Sequence, residues 1–156
     1  MAFDAPSLKG RALRLLSQRE HSRAELERKL ARHEEEPGTL ARALDELAAK
    51  DFISEPRVVA SVLHQRAARS GALKVRQELQ AKGIAPEAIE AAVAGLQSTE
   101  VERATALWRR RFEAPPADAK ERAKQMRFLM TRGFSGAVAA KVLRSDFDDN
   151  DLDECE

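Results

Sequence analysis

The feature of this sequence that most constrains its fold is a helix-and-turn pattern that occurs three times. The segment ELERKLARH resembles RQELQAKGI, which in turn resembles RFLMTRGFS. The equivalent leucines, Leu30, Leu79 and Leu129, follow one another at intervals of 49 and 50 residues. Self-similarity at such a period is typical of repeated supersecondary units, so the sequence predicts tandem modules of about 50 residues each.

Each module contains the apolar periodicity of three short helices. Apolar residues recur every three or four positions in successive segments, as at Leu40, Leu44 and Leu47, and no segment shows the alternation of a strand. Hydrophobic residues make up 43% of the 156 residues and charged residues 34%, which suits helices with narrow apolar faces. We therefore predict an all-α fold of nine helices, in which three tandem three-helix repeats form an elongated, curved array.

Capping signals place the boundaries of these helices. Ser22 with Glu25, and Thr99 with Glu102, have the spacing of a capping box, in which the hydroxyl and the carboxylate bind the free N–H groups of a first turn. Ser54, two residues before a proline, suits a further N-cap. The expected repeats span residues 8–53, 54–97 and 98–145.

Glycine and proline indicate where the turns lie. Gly83 and Gly133 occupy the same position in their repeats, where a helix ends in a left-handed residue, and we expect both to be structural turns. Ile84 and Phe134, which follow them, are expected to pack in the core. The pair Pro115-Pro116 predicts a longer loop between the first and second helices of the third repeat.

Charge is distributed unevenly along the chain. There are 27 Lys and Arg against 26 Asp and Glu, but seven of the acids lie in residues 146–156, which contain no Lys or Arg. The preceding residues therefore carry 27 bases against 19 acids, a net charge of +8. We expect residues 146–156 to form an acidic, disordered tail. The alternative is a tail that competes with nucleic acid for the basic body.

Residue sets that could perform catalysis are absent from the sequence. The three histidines, His21, His33 and His64, lack metal-ligand spacing, no serine lies in a nucleophile elbow, and the seven glycines form no phosphate-binding loop. The single cysteine, Cys155, has no partner for a disulfide or a metal site. We therefore expect no enzyme activity, no cofactor and no metal.

The sequence also predicts the cellular environment. No run approaches the roughly 20 consecutive apolar residues that a membrane-spanning helix needs. A chain with one cysteine fits a reducing compartment. We expect a soluble, cytoplasmic protein with no membrane partner.

Basic residues recur along the body and form a triplet at Arg109, Arg110 and Arg111. Individually such residues are ordinary surface charges, but an excess of positive charge along one surface favours an anionic partner. Aromatic residues give little support to base stacking, because they fall at apolar helix positions or turn junctions and are expected in the core. These expected core aromatics are Phe52, Trp108, Phe112, Phe128 and Phe134.

Three segments, taken in order, carry a family resemblance. They are ALRLLSQREHSRAELERKL near the start, RAARSG followed by LKVRQELQAKGI in the middle, and RFLMTRGFS with Val138 and Leu143. Together they resemble the RecX family of bacterial RecA modulators over about residues 8–144. The segment ISEPRVV, residues 53–59, departs from the acidic residues and Arg-Phe-Ala that are common there in the family.

The resemblance implies a monomer that binds the RecA filament, lodges in its helical groove and mainly inhibits strand exchange and the coupled ATP hydrolysis. Its partners would be RecA protein and single- or double-stranded DNA within the filament. The residues expected to contact RecA or DNA are Arg57, Arg66, Arg69, Lys74, Arg76, Lys82, Arg109, Arg110, Lys124, Arg127 and Arg132. Two alternatives stay open: a helical repeat protein that binds nucleic acid without RecA, and a scaffold whose charges only keep it in solution.

Overall fold

The computed structural model describes residues 5–150 of the chain, with side chains for residues 5–144. Within residues 5–150 the backbone forms nine α-helices, a short 3₁₀ helix and no strand. In chain order the α-helices are α1 (Leu8–Gln18), α2 (Arg23–Leu30), α3 (Thr39–Ala49), α4 (Glu55–Arg66), α5 (Ala72–Ala81), α6 (Pro86–Gln97), α7 (Glu100–Arg111), α8 (Ala119–Thr131) and α9 (Gly136–Asn150). The predicted all-α fold is confirmed.

The helices form three units of three. Helices α1 to α3 make the first unit, α4 to α6 the second and α7 to α9 the third, and within each unit the three helices contact one another. Each unit has its own apolar core, built around Leu44, Leu79 and Leu129 respectively, all fully buried. The units follow one another as an elongated array of repeats, and they meet only at narrow junctions because each core is closed by its own helices.

The capping signals are confirmed at two helix starts. The Ser22 hydroxyl accepts a hydrogen bond from the Glu25 N–H at 3.2 Å, and the Glu25 carboxylate accepts one from the Ser22 N–H at 3.1 Å. The Ser54 hydroxyl accepts a hydrogen bond from the Arg57 N–H at 3.3 Å. These contacts satisfy N–H groups that have no partner within the first turns of α2 and α4.

The capping box predicted at Thr99 and Glu102 is wrong. Thr99 has φ −112° and ψ 3°, which is not the extended backbone that a capping residue adopts, and its hydroxyl donates to the Leu96 carbonyl at 3.3 Å. Only two residues separate α6 from α7. The hydroxyl therefore closes the end of α6 and leaves the start of α7 uncapped by its side chain.

The predicted core residues differ in burial. Trp108, Phe134 and Ile84 are buried, and Phe112 and Phe128 are half-buried in the third unit. Phe52 is 47% exposed, so the core prediction is wrong for this residue. It follows Asp51, whose φ is 63°, in the turn after α3, and this turn places it outside the apolar face of the helix.

The third unit has the long loop and an extended last helix. Residues 112–118 connect α7 to α8 and contain the Pro115-Pro116 pair, as predicted. Helix α9 continues to Asn150, five residues beyond the boundary expected at 145. The expected disordered tail covered residues 146–156, and of these residues 151–156 lie outside the described part of the chain.

At the junction of the first and second units, the turn after α5 packs against α2. Gly83 has φ 70°, and a Cβ built on it would lie 2.7 Å from the Cβ of Ala24. The Lys82 ammonium donates to the Glu25 carboxylate at 3.1 Å, and the Arg28 guanidinium donates to the Ala81 carbonyl at 2.7 Å. The absence of a side chain at Gly83 therefore allows a close approach that these polar contacts hold.

At the junction of the second and third units, the equivalent turn after α8 packs against the start of α5. The Gly71 N–H donates to the Arg132 carbonyl at 2.8 Å, and the Leu73 N–H donates to the Gly133 carbonyl at 3.1 Å. Gly133 has φ 91°, and a Cβ there would lie 2.8 Å from the backbone nitrogen of Lys74. Both junctions thus use a glycine turn that docks on the start of the preceding unit's second helix.

An arginine from the first helix of each later unit reinforces its junction. Arg57 of α4 donates to Glu20 at 3.0 Å in the loop between α1 and α2. Arg103 of α7 donates to the Ala67 and Ser70 carbonyls at 2.7 and 2.8 Å, between α4 and α5. Burial lowers the pKa of Arg103, while the nearby Glu100 carboxylate opposes this effect. The two arginines occupy corresponding places in their units.

Glu25 is the buried charge at the first junction. Burial by itself would raise its pKa, but hydrogen bonds from the Arg19 guanidinium, the Ser22 N–H and the Lys82 ammonium outweigh burial and hold the pKa at about 2. The Arg19 contact is 2.7 Å long. The folded state therefore favours the charged carboxylate, and its contacts join the α1–α2 loop, α2 and the turn after α5.

We expect Gly133→Ala to destabilise the protein more than Gly38→Ala. The two glycines have φ values of 91° and 90°, but a Cβ at Gly38 would meet nothing within 4 Å. Left-handed strain alone costs roughly 1–2 kcal/mol, and the clash with Lys74 adds about 1–3 kcal/mol. Urea denaturation of both variants measures the difference, and equal losses of unfolding free energy would contradict a close approach of Gly133 to Lys74.

We expect Glu25→Gln to lose about 2–4 kcal/mol of unfolding free energy at neutral pH, because Lys82 and Arg19 lose their carboxylate. A pKa lowered from 4.5 to about 2 contributes stability that is complete above pH 4.5 and is lost as the pH falls towards 2. The difference in unfolding free energy between wild type and variant should therefore decrease by about 2 kcal/mol as the pH falls from 7 to 3, as measured by chemical denaturation.

The control for this prediction is Glu27→Gln. Glu27 lies on the same helix, and its ion pair with Arg23 is exposed, so its loss should cost less than about 0.5 kcal/mol throughout. A gap for Glu25→Gln that does not change with pH would contradict the assigned role of the carboxylate.

Candidate functional site

Several of the predicted contact residues form ion pairs within the protein. Arg57 and Lys82 bind acids across the first junction, and the Lys82 side chain is only 16% exposed. Arg66 pairs with Glu78 at 2.7 Å, and Arg76 pairs with Glu90. These contacts give the four residues a structural role, and their contact with a partner stays a prediction.

The other predicted residues of the second unit and of α7 are more open. Arg69 and Lys74 are exposed and have no carboxylate partner among the described residues, and Arg110 is likewise exposed and unpaired there. Arg109 is also exposed. Lys74 lies beside Gly133 at the second junction, and the residue is nevertheless exposed. A partner that follows the array could reach these groups.

The remaining predicted residues meet in a groove between the end of α7 and α8, which we call the third-unit groove. It encloses about 430 Å³. Its lining residues are Arg111, Phe112, Lys124, Arg127, Phe128, Thr131 and Arg132. None of them is acidic, and the nearest carboxylate to Lys124 is that of Glu121, 3.9 Å away. The structure thus brings Lys124, Arg127 and Arg132 together in one groove, which was not predicted from the sequence.

Two phenyl rings lie at the centre of the third-unit groove. The rings of Phe112 and Phe128 are 5.4 Å apart and perpendicular to one another. The Arg111 guanidinium lies 5.4 Å from the Phe112 ring and the Arg132 guanidinium 5.3 Å from the Phe128 ring. These cation–π contacts hold both guanidiniums over the rings without neutralising their charge. The groove can therefore present ordered cations to an anion.

A second basic groove, which we call the first-unit groove, lies between α1 and the end of α2. It encloses about 600 Å³. Its basic lining residues are Arg11, Arg14, Arg28, Lys29, Arg32 and His33, and no acidic residue lines it. Sequence analysis missed this groove. The spacing of three residues on α1 and of four residues between Arg28 and Arg32 could have indicated a shared face.

The histidines have structural surroundings. His21 is buried, its Nδ1 lies 3.0 Å from the Arg19 carbonyl, and its Nε2 lies 3.0 Å from the Lys29 ammonium. Burial lowers the pKa of His21. Because a carbonyl can only accept and an ammonium can only donate, Nδ1 donates to the Arg19 carbonyl and Nε2 accepts from Lys29. His33 lies in the first-unit groove. No group of three or more His, Cys, Asp or Glu side chains among the described residues could hold a metal ion.

The two grooves share one chemical character. Each combines guanidinium and ammonium groups with a partly apolar floor, and neither is lined by a carboxylate. Such surfaces attract phosphates or carboxylates on a partner, since the field of several cations adds where single exposed pairs contribute little. In the part of the chain that the structure describes, no helix is long and apolar enough to span a membrane.

Family models match all three units of the array. The model described as RecX, first three-helix domain, matches residues 9–47. The second three-helix domain of RecX matches residues 54–93, and the third matches residues 98–143. The three matches follow the order of the units in the chain.

Sequence relatives agree with these matches. A protein named regulatory protein RecX from Leptothrix cholodnii is 56% identical over 146 residues, which cover 92% of this chain and 93% of that protein. A protein of the same name from Ralstonia nicotianae is 48% identical over 138 residues, which cover 88% of this chain and 87% of the relative.

Solved structures have the same fold. The crystal structure of RecX from Lactobacillus salivarius superposes with a TM-score of 0.76 at 21% identity, over 88% of this chain and 93% of that one. A second crystal structure, of a regulatory protein RecX, gives a TM-score of 0.71 at 23% identity, over 86% of this chain and 70% of the other. The chain therefore belongs to the RecX family of regulatory proteins.

Proposed function

We propose that this protein regulates the RecA recombinase by binding the RecA–DNA filament, mainly as an inhibitor of strand exchange and ATP hydrolysis. The observation that carries the proposal is the match of all three units, in order, to the RecX family across residues 9–143. The relatives' shared name, regulatory protein RecX, supports a regulatory role. The proposed partner follows from the meaning of that family name.

The arrangement of the units supports binding along a polymer. The glycine turns at Gly83 and Gly133 fix the order and spacing of three modules, so contacts on different units act on one elongated partner. Once one unit is bound, the others act at high local concentration, and modest contacts combine into stable binding. A monomer that contacts neighbouring RecA protomers in this way would obstruct the filament groove.

The third-unit groove is the contact surface that we propose for the filament. Lys124, Arg127 and Arg132 were predicted from the sequence and lie together there, beside Arg111. No carboxylate lines the groove, and the one ion pair of the three residues is the 3.9 Å contact of Lys124 with Glu121. Anions presented by the filament, on RecA or on its DNA, fit these cations.

The same proposal includes a non-catalytic, cytoplasmic protein that needs no cofactor. The relatives' name describes regulation rather than catalysis, and a regulator of RecA would share the compartment of the DNA on which RecA acts. The basic grooves suit binding and contain no nucleophile held by a base.

A second candidate function is nucleic-acid binding without RecA. The two acid-free basic grooves favour it, because phosphate contacts alone give affinity without sequence readout. The two candidates differ in whether RecA is needed for the effect.

We expect the purified protein, added at near-stoichiometric amounts to RecA on single-stranded DNA, to slow ATP hydrolysis and shorten the filaments. Occupation of the filament's helical groove would block both the addition of RecA protomers and the conformational cycle of RecA that is coupled to ATP hydrolysis. Steady-state ATP turnover and electron microscopy of the filaments measure these effects. Unchanged turnover and length would reject the proposed function.

We expect Arg127→Glu with Arg132→Glu to weaken binding to the RecA–DNA filament by at least about 10-fold, which is about 1.4 kcal/mol. Two cations of the third-unit groove would become anions and repel the partner's charges. Surface plasmon resonance on immobilised filaments measures the affinity.

The matched control is Arg42→Glu with Lys50→Glu, which makes the same charge change at exposed positions outside both grooves. It should weaken binding much less than the groove variant. Equal losses would mean that net charge, rather than the third-unit groove, governs the interaction.

A further inference from the structure

The two junctions of the array use equivalent positions, but the charges at these positions differ. Residues of the second junction lie 49 or 50 positions after their counterparts in the first, the same intervals that separate the three repeated leucines. Glu25 therefore corresponds to Lys74, and Lys82 corresponds to Arg132. Glu25 and Lys82 form an ion pair at 3.1 Å. At the second junction, two cations replace this pair of opposite charges.

Lys74 and Arg132 flank one glycine turn. A Cβ built on Gly133 would lie 2.8 Å from the Cβ of Lys74, and Arg132 directly precedes Gly133. Both cations are exposed, and neither forms an ion pair with a described residue. The buried acid of this junction, Glu100, accepts a hydrogen bond from the Ala72 N–H at 2.9 Å and pairs with neither cation. Among the described residues, nothing takes the place that the carboxylate has at the first junction.

Two exposed apolar side chains adjoin the same turn. Leu73 is 49% exposed and Met130 is 52% exposed. The Leu73 N–H donates to the Gly133 carbonyl at 3.1 Å, and the Gly133 N–H donates to the Met130 carbonyl at 3.0 Å. Their counterparts in the first junction are Ala24 and Gln80, a small residue and a polar one. We call the four exposed residues around this turn the second-junction patch: Leu73, Lys74, Met130 and Arg132.

We propose that the second-junction patch binds a carboxylate side chain, flanked by apolar residues, on the surface of the RecA subunit. This inference rests on the proposed function, because it takes RecA as the partner. The first junction shows how a carboxylate is held beside such a turn, since Glu25 accepts hydrogen bonds from both Lys82 and Arg19. An Asp or Glu of the partner would take the equivalent place at the second junction and would relieve the repulsion between Lys74 and Arg132.

A protein carboxylate fits the patch better than a phosphate of DNA. Exposed apolar side chains grouped with charged ones are typical of surfaces that bind proteins. A sugar–phosphate backbone offers little apolar area, so Leu73 and Met130 would stay in contact with water beside it. The patch shares Arg132 with the third-unit groove, so the two surfaces are continuous.

A carbodiimide cross-link tests the partner directly. The reagent joins a lysine amine to a carboxyl group in contact with it, forming an amide bond while the carbodiimide takes up the water that is lost. On RecA–DNA filaments saturated with the protein, mass spectrometry should find a cross-link from Lys74 to an Asp or Glu of RecA. The control is Lys50, which is exposed outside the patch and should give none. Cross-linking of Lys74 to residues 146–156 of its own chain, or equal yields from the two lysines, would overturn the proposal.

The variant Lys74→Glu separates binding from stability. It gives the second junction the carboxylate that Glu25 supplies at the first, so a pair with Arg132 occupies the patch from within. Filament affinity should fall at least about 10-fold, whereas the midpoint of urea denaturation should be unchanged or higher. Lys50→Glu makes the same charge change elsewhere and should alter the affinity by less than about twofold. Equal losses of affinity, or a lower midpoint for Lys74→Glu, would contradict the proposal.

The apolar half of the patch is tested by Leu73→Ala with Met130→Gln, which copies the residues of the first junction. Filament affinity should fall at least about 5-fold, because both side chains would be buried against RecA. The control is Phe52→Ala, which truncates an apolar side chain that is 47% exposed in another unit, and its affinity should stay within about twofold of wild type. An unchanged affinity of the double variant would reject the patch.

Wild-type binding to the filament is measured first, so that two failures can be told apart. If the wild type does not bind, the proposed function is rejected and this inference with it. If the wild type binds and the patch variants bind equally well, the patch alone is rejected and the proposed function stands.

Discussion

The structure depends on the close approach of a glycine turn to the helix start of the preceding unit. At both junctions, the turn that follows the second helix of one unit packs against the first residues of the second helix of the preceding unit. Gly83 lies against Ala24, and Gly133 lies against Lys74. Side chains larger than hydrogen would separate the units at these points. The first junction adds ion pairs around Glu25, whereas the second adds backbone hydrogen bonds to the Gly133 turn and hydrogen bonds from Arg103 to the Ala67 and Ser70 carbonyls.

This docking also explains how charge is divided along the array. Residues near a junction must satisfy buried polar groups, and Arg57, Lys82 and Arg103 do so. Other basic residues line the first-unit and third-unit grooves, and two of these, Arg28 and Arg132, also take part in the junctions. A basic residue of this chain can therefore join units, line an open groove or do both, as Arg28 does when it donates to the Ala81 carbonyl and lines the first-unit groove.

Much of the fold could be predicted from the sequence because a repeat specifies itself several times. The period of the leucines gave the units, and Gly83 and Gly133 gave the turns, since only a left-handed residue fits there. Features set by tertiary contact could not be predicted. The Thr99 hydroxyl donates to the Leu96 carbonyl of α6, because α6 ends only two residues before Thr99. Phe52 is exposed because of the turn at Asp51. In the sequence Lys82 has the pattern of a surface cation, but in the fold it pairs with the carboxylate of Glu25, which is 57 residues away in the chain. The first-unit groove likewise combines residues from two helices.

The separation of the cores determines how the molecule loses its structure. Each unit closes its own apolar interior, so disruption of one core exposes little of the next, and cooperativity between units comes only through the short junctions. An end unit can then unravel while its neighbours remain intact, at a fraction of the free energy of complete unfolding. The amides of the middle unit, which is held on both sides, should exchange slowest with solvent. When a moving polymer pulls on the array, the end units should unfold first.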